Sequence, residues 1–236
     1  HCRVVELVVK QVAGRVPVIA GAGSNNPVEA IEYTLHAERV GADATLHVAG
    51  YYNRPNQEGL YHHFKAVHDA TAKPIIVYNI PPRAIVDVQP VTLARLAELP
   101  RIAGVKDATG DLARPWTERQ LIKKPFAWLS GEDATAVAYN IGGGQGCISV
   151  TANVVPKLVA EVQYLTLAGQ WQAARELQDK LIPLHQAMFA EPSPAGAKYA
   201  VSLLGFCSEE CRLPVMPLSE ATRTRIRDAM QALNLL

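Results

Sequence analysis

The chain has 236 residues, of which 49% are hydrophobic and 19% charged, and its formal net charge is +1. This balance excludes a disordered chain, and the length suits one large α/β domain or two smaller ones. With no basic block and no apolar run of the ~20 residues that a membrane span requires, the sequence argues against nucleic acid and membranes as partners.

Short apolar segments alternate with helical patterns along the first two thirds of the chain. Asn26 and Pro27 are suited to cap and begin the helix that ends before Gly41. Alternation of this kind is typical of βαβ crossovers and of a parallel sheet. From Pro156 onward we predict four helices and no strand, over residues 156–168, 170–190, 195–204 and 219–234. The predicted strands are Val16–Ala20, Ala44–Val48, Ile75–Asn79, Arg101–Val105, Phe126–Ser130 and Gly146–Val150.

Two architectures are compatible with such a pattern, an open doubly wound sheet and a closed barrel. The open sheet favours a glycine-rich phosphate loop after its first strand, and the segment Gly21–Ser24 lacks the third glycine of that motif. In a barrel, polar residues at successive strand ends converge on one mouth. We therefore predict an α/β fold of the TIM-type (β/α)8 barrel, reduced to about six strands, over residues 1–155. Residues 156–236 then form the last barrel helix and a C-terminal helical section.

Lys106 occupies the point where an apolar strand gives way to the turn Thr109–Asp111. Burial of an amine disfavours its charged form, and a neutral amine is what attack on a ketone requires. Taken alone, the segment favours a surface lysine whose stem covers apolar neighbours. The polar residues at the other strand ends favour the reactive lysine.

The four cysteines, Cys2, Cys147, Cys207 and Cys211, follow no disulfide framework. Cys207 and Cys211 suggest a metal site, but no second pair of ligands accompanies them. We expect ordinary thiols, no metal and a reducing cytoplasmic location.

The chain resembles dihydrodipicolinate synthases, which belong to the pyruvate-dependent class I aldolase family that also contains the N-acetylneuraminate lyases. The resemblance runs from His1 to Leu236 without a large gap. Its motifs are Pro17–Gly21, Tyr51–Pro55, Val77–Arg83, Gly104–Gly110, Leu129–Asp133, Gly146–Asn153 and Arg212–Pro217.

The resemblance implies a Schiff-base condensation of pyruvate with aspartate semialdehyde, in lysine and diaminopimelate biosynthesis. Lys106 then forms the imine, with no cofactor besides this covalent pyruvate, and Tyr78 relays protons. Tyr52 matches a tyrosine that crosses a dimer interface, and Arg83 matches the arginine that binds the aldehyde's carboxylate.

Two further positions, Gly131 and Ile148, match residues of the pyruvate pocket. Arg83 also separates the chain from the sialic-acid lyases, which usually lack an arginine there. Arg83 as a surface cation and Tyr52 as a packing aromatic remain alternative interpretations.

Family members carry a segment before the position of His1, with the first two barrel strands and a Thr-Thr-Gly-Glu motif. One threonine bridges the two tyrosines, and its neighbour helps to bind pyruvate. Because this sequence lacks the motif, an impaired homologue or a non-catalytic subunit is an alternative, and another pyruvate aldolase is a second one. Strand edges left open would favour a homo-oligomer.

The resemblance also implies a site for L-lysine as an inhibitor, at His1, Asn25, Glu29 and Tyr51. A carboxylate at Glu29 suits an ammonium group, and Asn25 and Tyr51 offer hydrogen bonds. The same residues have simpler interpretations, because Asn25 suits a helix cap and Glu29 suits a first helical turn.

Overall fold

The computed structural model describes the chain from His1 to Leu236 and contains one five-stranded sheet. The strands adjoin one another in chain order, and β1 to β4 pair in parallel. The predicted alternation of parallel strands and helices is confirmed. The strands are β1 Ile19–Gly21, β2 Ala44–Val48, β3 Ile75–Asn79, β4 Ile102–Asp107 and β5 Ala127–Ser130.

The chain contains eleven α-helices, and the four predicted after Pro156 are all present. The cap of α2 forms as predicted, since the Asn26 side chain accepts a hydrogen bond from the Val28 N–H. The helices are α1 Cys2–Val12, α2 Pro27–Val40, α3 Gln57–Ala70, α4 Pro81–Ala84, α5 Pro90–Ala97, α6 Arg114–Leu121, α7 Ala136–Ile141, α8 Pro156–Leu167, α9 Trp171–Met188, α10 Ala195–Leu203 and α11 Glu220–Ala232. None of them combines the length and apolar character that a membrane crossing needs.

The first strand is shorter than predicted and begins at Ile19 rather than Val16. Pro17 has no N–H to give to a neighbouring strand. The N–H of Val18 is bound by the Asp43 carboxylate at 2.7 Å, so it is also lost to the sheet. Val16 is left exposed.

The sixth predicted strand, Gly146–Val150, is reduced to a single parallel bridge between Ser130 and Cys147. The Asp133 carboxylate ends the pairing, because it accepts hydrogen bonds from the Val150 N–H at 2.9 Å and the Thr151 N–H at 3.3 Å. A short 3₁₀-helix, Thr151–Asn153, follows. Backbone donors bound by a side chain cannot extend a sheet.

The chain divides into two compact units. The first comprises residues 1–129 and 142–144, and the second comprises residues 130–141 and 145–236. The boundary predicted between residues 155 and 156 stays a prediction. In the first unit, α3 buries Leu60, Phe64 and Val67 completely, and β3 buries Ile75 and Val77.

The second unit has its own core, which forms between helices rather than on a sheet. Leu181 and Leu184 of α9 are fully buried, together with Ile226 and Met230 of α11. His185 of α9 is also buried and hydrogen-bonds the Thr151 hydroxyl at 2.8 Å.

Candidate active site

The predicted catalytic pair, Tyr78 and Lys106, lies on neighbouring strands at paired positions. The two residues are Cα partners in the ladder between β3 and β4. Since paired residues point to the same face of a sheet, both side chains emerge together. The Lys106 Nζ lies over the Tyr78 ring, 4.0 Å from its centroid, and both residues are half-buried. The structure therefore brings the amine and the phenol into one site.

The next residues of the same strands, Asn79 and Asp107, are also Cα partners and are buried on the opposite face. Arg114 lies between the carboxyl groups of Asp107, Glu118 and Asp87 in a cluster of charges. Burial raises the pKa of the Asp107 carboxyl. It also raises the pKa of Glu118 to about 7, with a smaller contribution from the charge of Asp107, while Arg114 opposes the shift.

Tyr52 lies at the apex of a tight turn in which the Asn53 N–H donates to the Tyr51 carbonyl at 2.8 Å. Its φ of 66° falls in the left-handed region, which residues with side chains rarely adopt. The side chain is 91% exposed. The alternative interpretation of Tyr52 as a packing aromatic is therefore wrong for the single chain, and strain of this kind is common at functional sites.

Arg83 is exposed on the short helix α4, which directly follows β3. Two prolines start the helix, and Ile85 ends it with a φ of 64°. The guanidinium group forms none of the ion pairs within the chain. An unpaired guanidinium is suited to an anionic ligand.

Gly131 and Ile148 belong to the second unit, where both are half-buried. Ile148 is held by its N–H, which donates to the Ser130 carbonyl at 2.9 Å. Their expected role in a pyruvate pocket stays a prediction.

The four residues predicted to bind L-lysine fall into two hydrogen-bonded groups of the first unit. The His1 ring stacks on Tyr33, with centroids 4.3 Å apart, and the Tyr33 hydroxyl donates to Glu29 at 3.1 Å. Ser24 donates to the other oxygen of the Glu29 carboxylate. The Asn25 amide donates to the Tyr51 carbonyl at 3.3 Å. Asn25 is not the helix cap, because Asn26 holds that position.

Sequence reasoning missed Tyr33, which binds Glu29, and Arg114, which lies among the charges of Asp107 and Glu118. Tyr33 lies four residues after Glu29, and Arg114 four residues before Glu118, so each pair meets on one helix face. The helical spacing was the available signal for both pairs.

Comparison with known proteins gives the family. The model of the dihydrodipicolinate synthetase family matches residues 1–233. The chain is 57% identical over 236 residues to the 4-hydroxy-tetrahydrodipicolinate synthase of Parvibaculum lavamentivorans, covering 100% of this chain and 81% of the relative.

Solved structures agree with this match. A chloride-inhibited dihydrodipicolinate synthase from Acinetobacter baumannii, in complex with pyruvate, is 41% identical with a TM-score of 0.96, covering 100% of this chain and 81% of that one. A lysine-bound enzyme from Cyanidioschyzon merolae is 34% identical with a TM-score of 0.96, covering 100% and 80%. The predicted barrel-type fold is thus confirmed, and the chain belongs to the dihydrodipicolinate synthetase family.

Proposed function

We propose that this chain is a class I aldolase that condenses pyruvate with aspartate semialdehyde, a step of lysine and diaminopimelate biosynthesis. The observation that carries the proposal is the placement of the Lys106 Nζ 4.0 Å from the centroid of the Tyr78 ring. Relatives named for this activity at 57% identity favour it over a non-catalytic subunit and over another aldolase.

The chemistry begins with the neutral amine of Lys106, which attacks the pyruvate ketone and expels water to form an imine. Loss of a proton from the pyruvate methyl group then gives an enamine, whose carbon attacks the aldehyde. Both steps require a group that moves protons beside the reacting atoms. The Tyr78 phenol is the nearest such group on the neighbouring strand.

Arg83 and Tyr52 complete the proposal. The exposed Arg83 guanidinium forms no ion pair in the chain, and its fork suits the carboxylate of aspartate semialdehyde. The exposure of Tyr52 and its left-handed φ support its proposed action in a second copy of the chain. The proposed assembly is therefore a homo-oligomer, which light scattering over a range of concentrations tests. A stable monomer with full activity would contradict it.

The proposed function is tested by measuring how fast the purified chain consumes pyruvate and aspartate semialdehyde. We expect turnover by the wild type, loss of turnover in Lys106→Arg and no change in Lys123→Arg. Lys123 is a matched control because it is exposed and its amine binds only the Arg119 carbonyl. Turnover by Lys106→Arg at the wild-type rate would contradict the imine mechanism.

A second part of the proposal is inhibition by L-lysine at His1, Asn25, Glu29 and Tyr51. The lysine-bound relative supports it, as does the Glu29 carboxylate, whose two oxygens are held in place by Ser24 and Tyr33. Calorimetry should detect L-lysine binding that Glu29→Gln weakens. Binding of equal strength to both chains would remove this site.

A further inference from the structure

The ends of β3 and β4 are fixed together on the face opposite the Tyr78–Lys106 pair. Asn79 and Asp107 follow these two residues directly, and they are 1% and 4% exposed. The Ala108 N–H donates to the Asn79 carbonyl at 2.9 Å, which extends the ladder past the pair. Any displacement of Asn79 or Asp107 therefore moves Tyr78 or Lys106 on the other face.

One buried guanidinium, that of Arg114, hydrogen-bonds the segment Asp87–Val88 and Glu118 of its own helix, and it lies close to Asp107. Its Nη1 lies 2.9 Å and 3.1 Å from the two carboxylate oxygens of Asp87, and its Nη2 donates to the Val88 carbonyl. Its Nε lies 3.2 Å from Glu118 and 3.9 Å from Asp107. Arg114 is 6% exposed, so these groups replace nearly all of its water.

The segment that follows Arg83 is held by the same groups. The Asn79 amide donates to the Asp87 carboxylate at 2.8 Å, and the Val88 N–H donates to the Asn79 side-chain carbonyl at 3.1 Å. Asp87 lies four residues after Arg83, just beyond the left-handed turn at Ile85. The two catalytic strands and the arginine-bearing helix α4 therefore share one anchor.

The cluster places three carboxyl groups around one guanidinium. Trp128 donates its indole N–H to the second oxygen of Glu118 at 3.0 Å, and Thr109 donates its N–H to Asp107 at 2.9 Å. Removing a buried cation from such a set leaves uncompensated charge, and lysine cannot reproduce the planar fork of arginine.

We propose that Arg114 is a positioning residue for the aldol reaction. Its charge faces Asp107, at the strand end that carries Lys106, across 3.9 Å without a hydrogen bond, and its two hydrogen bonds to Asp87 hold the segment that follows Arg83. This inference rests on the proposed function, and it assigns the two halves of the cluster to two different steps. The Asp107 contact serves imine formation, and the Asp87 contact serves recognition of the aldehyde.

Three conservative variants separate these steps: Asp107→Asn, Asp87→Asn and Arg114→Lys. Asp107→Asn should slow formation of the pyruvate imine, measured by borohydride trapping, by about tenfold. It should leave KM for aspartate semialdehyde unchanged. Asp87→Asn should raise that KM by about tenfold and leave the rate of trapping unchanged. Arg114→Lys should change both quantities. Arg119→Lys is the control, since Arg119 lies on the same helix and outside the cluster.

If the cluster only stabilises the fold, each variant should impair the rate of imine trapping and KM for aspartate semialdehyde by the same factor. That result, or no change in any variant, would overturn the inference while leaving the proposed function intact. The Asp87 side chain is 43% exposed, so Asp87→Asn provides a test even where the buried variants fail to fold. If the wild-type chain itself yields no trapped imine, the proposed function fails and this inference fails with it.

Discussion

Glu118 should make the folded chain less stable as the pH rises, and Glu118→Gln should remove that dependence. The carboxyl is 1% exposed, and its pKa is raised from 4.5 to about 7, chiefly because burial disfavours its charged form. The folded state therefore binds the proton more tightly than the unfolded chain does. Stability from this group is fully present below pH 4.5 and is lost as the pH rises through about 7.

The size of the effect follows from the pKa values. One pKa unit corresponds to about 1.4 kcal/mol, so this carboxyl should lower the free energy of unfolding by about 3 kcal/mol across that range. The pKa of Asp107 is also raised, so Asp107 contributes to the pH dependence of the free energy of unfolding in both wild type and Glu118→Gln. The difference between wild type and Glu118→Gln therefore isolates Glu118. Glutamine keeps the size of the side chain and an acceptor for the Trp128 indole, while it loses the acceptor for the Arg114 Nε.

Urea unfolding at fixed pH values from 4.5 to 8, followed by tryptophan fluorescence, measures this difference. Trp128 hydrogen-bonds Glu118 and is a local probe. Glu98→Gln is the control, since Glu98 is exposed at the end of α5. If the free energies of unfolding of wild type and Glu118→Gln depend on pH in the same way, burial does not raise the pKa of Glu118 as proposed.

Three other predictions concern the site and the strand that carries it. Tyr78→Phe should form the trapped imine more slowly, and its turnover should fall by about 10²–10⁴-fold because the proton relay is lost; equal turnover in a steady-state assay would contradict this role. Arg83→Lys should raise KM for aspartate semialdehyde and leave KM for pyruvate unchanged, since lysine lacks the planar fork; initial-rate kinetics with each substrate decide it. Gly104→Ala should destabilise the fold by about 1–3 kcal/mol in thermal unfolding, because the new methyl would lie 2.5 Å from the Ala127 carbonyl oxygen. Unchanged stability would show that β4 and β5 can move apart to accommodate the methyl group without loss of folding free energy.

Sequence patterns predicted the strands most closely where apolar runs end in turn residues. β2 and β3 match their predicted bounds, since Gly50 and Pro81 follow these runs closely. The prediction of a sixth strand was wrong because the pairing of this segment is ended by Asp133. Its carboxylate binds two backbone N–H groups 17 and 18 residues further along the chain. A long-range contact of this kind leaves no periodic signal.

Hydrophobicity identifies the buried face of a helix only where that face carries large side chains. Leu60, Phe64 and Val67 identify the buried face of α3, and all three are fully buried. In α2 the buried residues are Ala30, Thr34 and Ala37, while Leu35 is exposed. A hydrophobicity pattern favours the larger residues, whereas close packing against a neighbour selects the small ones.

The pair Tyr78 and Lys106 was predicted through the family resemblance, and the two residues are partners in the ladder because its register shifts between Ile75 and Ile76. The Arg114 cluster was not accessible in the same way. A charged residue on a short helix ordinarily indicates a solvated face, and burial of Arg114 depends on Asp87, which is 27 residues away. Partners from separate strand ends meet only after the sheet has formed.

Reductive trapping tests the central claim most directly. Pyruvate and borohydride are added to the wild-type chain, and the modified residue is located by peptide mass spectrometry. The proposed mechanism predicts a reduced pyruvate adduct on Lys106 that is absent from Lys106→Arg and unchanged in Lys123→Arg. An unmodified wild-type chain, or an adduct that persists in Lys106→Arg, would contradict the assignment of Lys106 as the imine-forming residue.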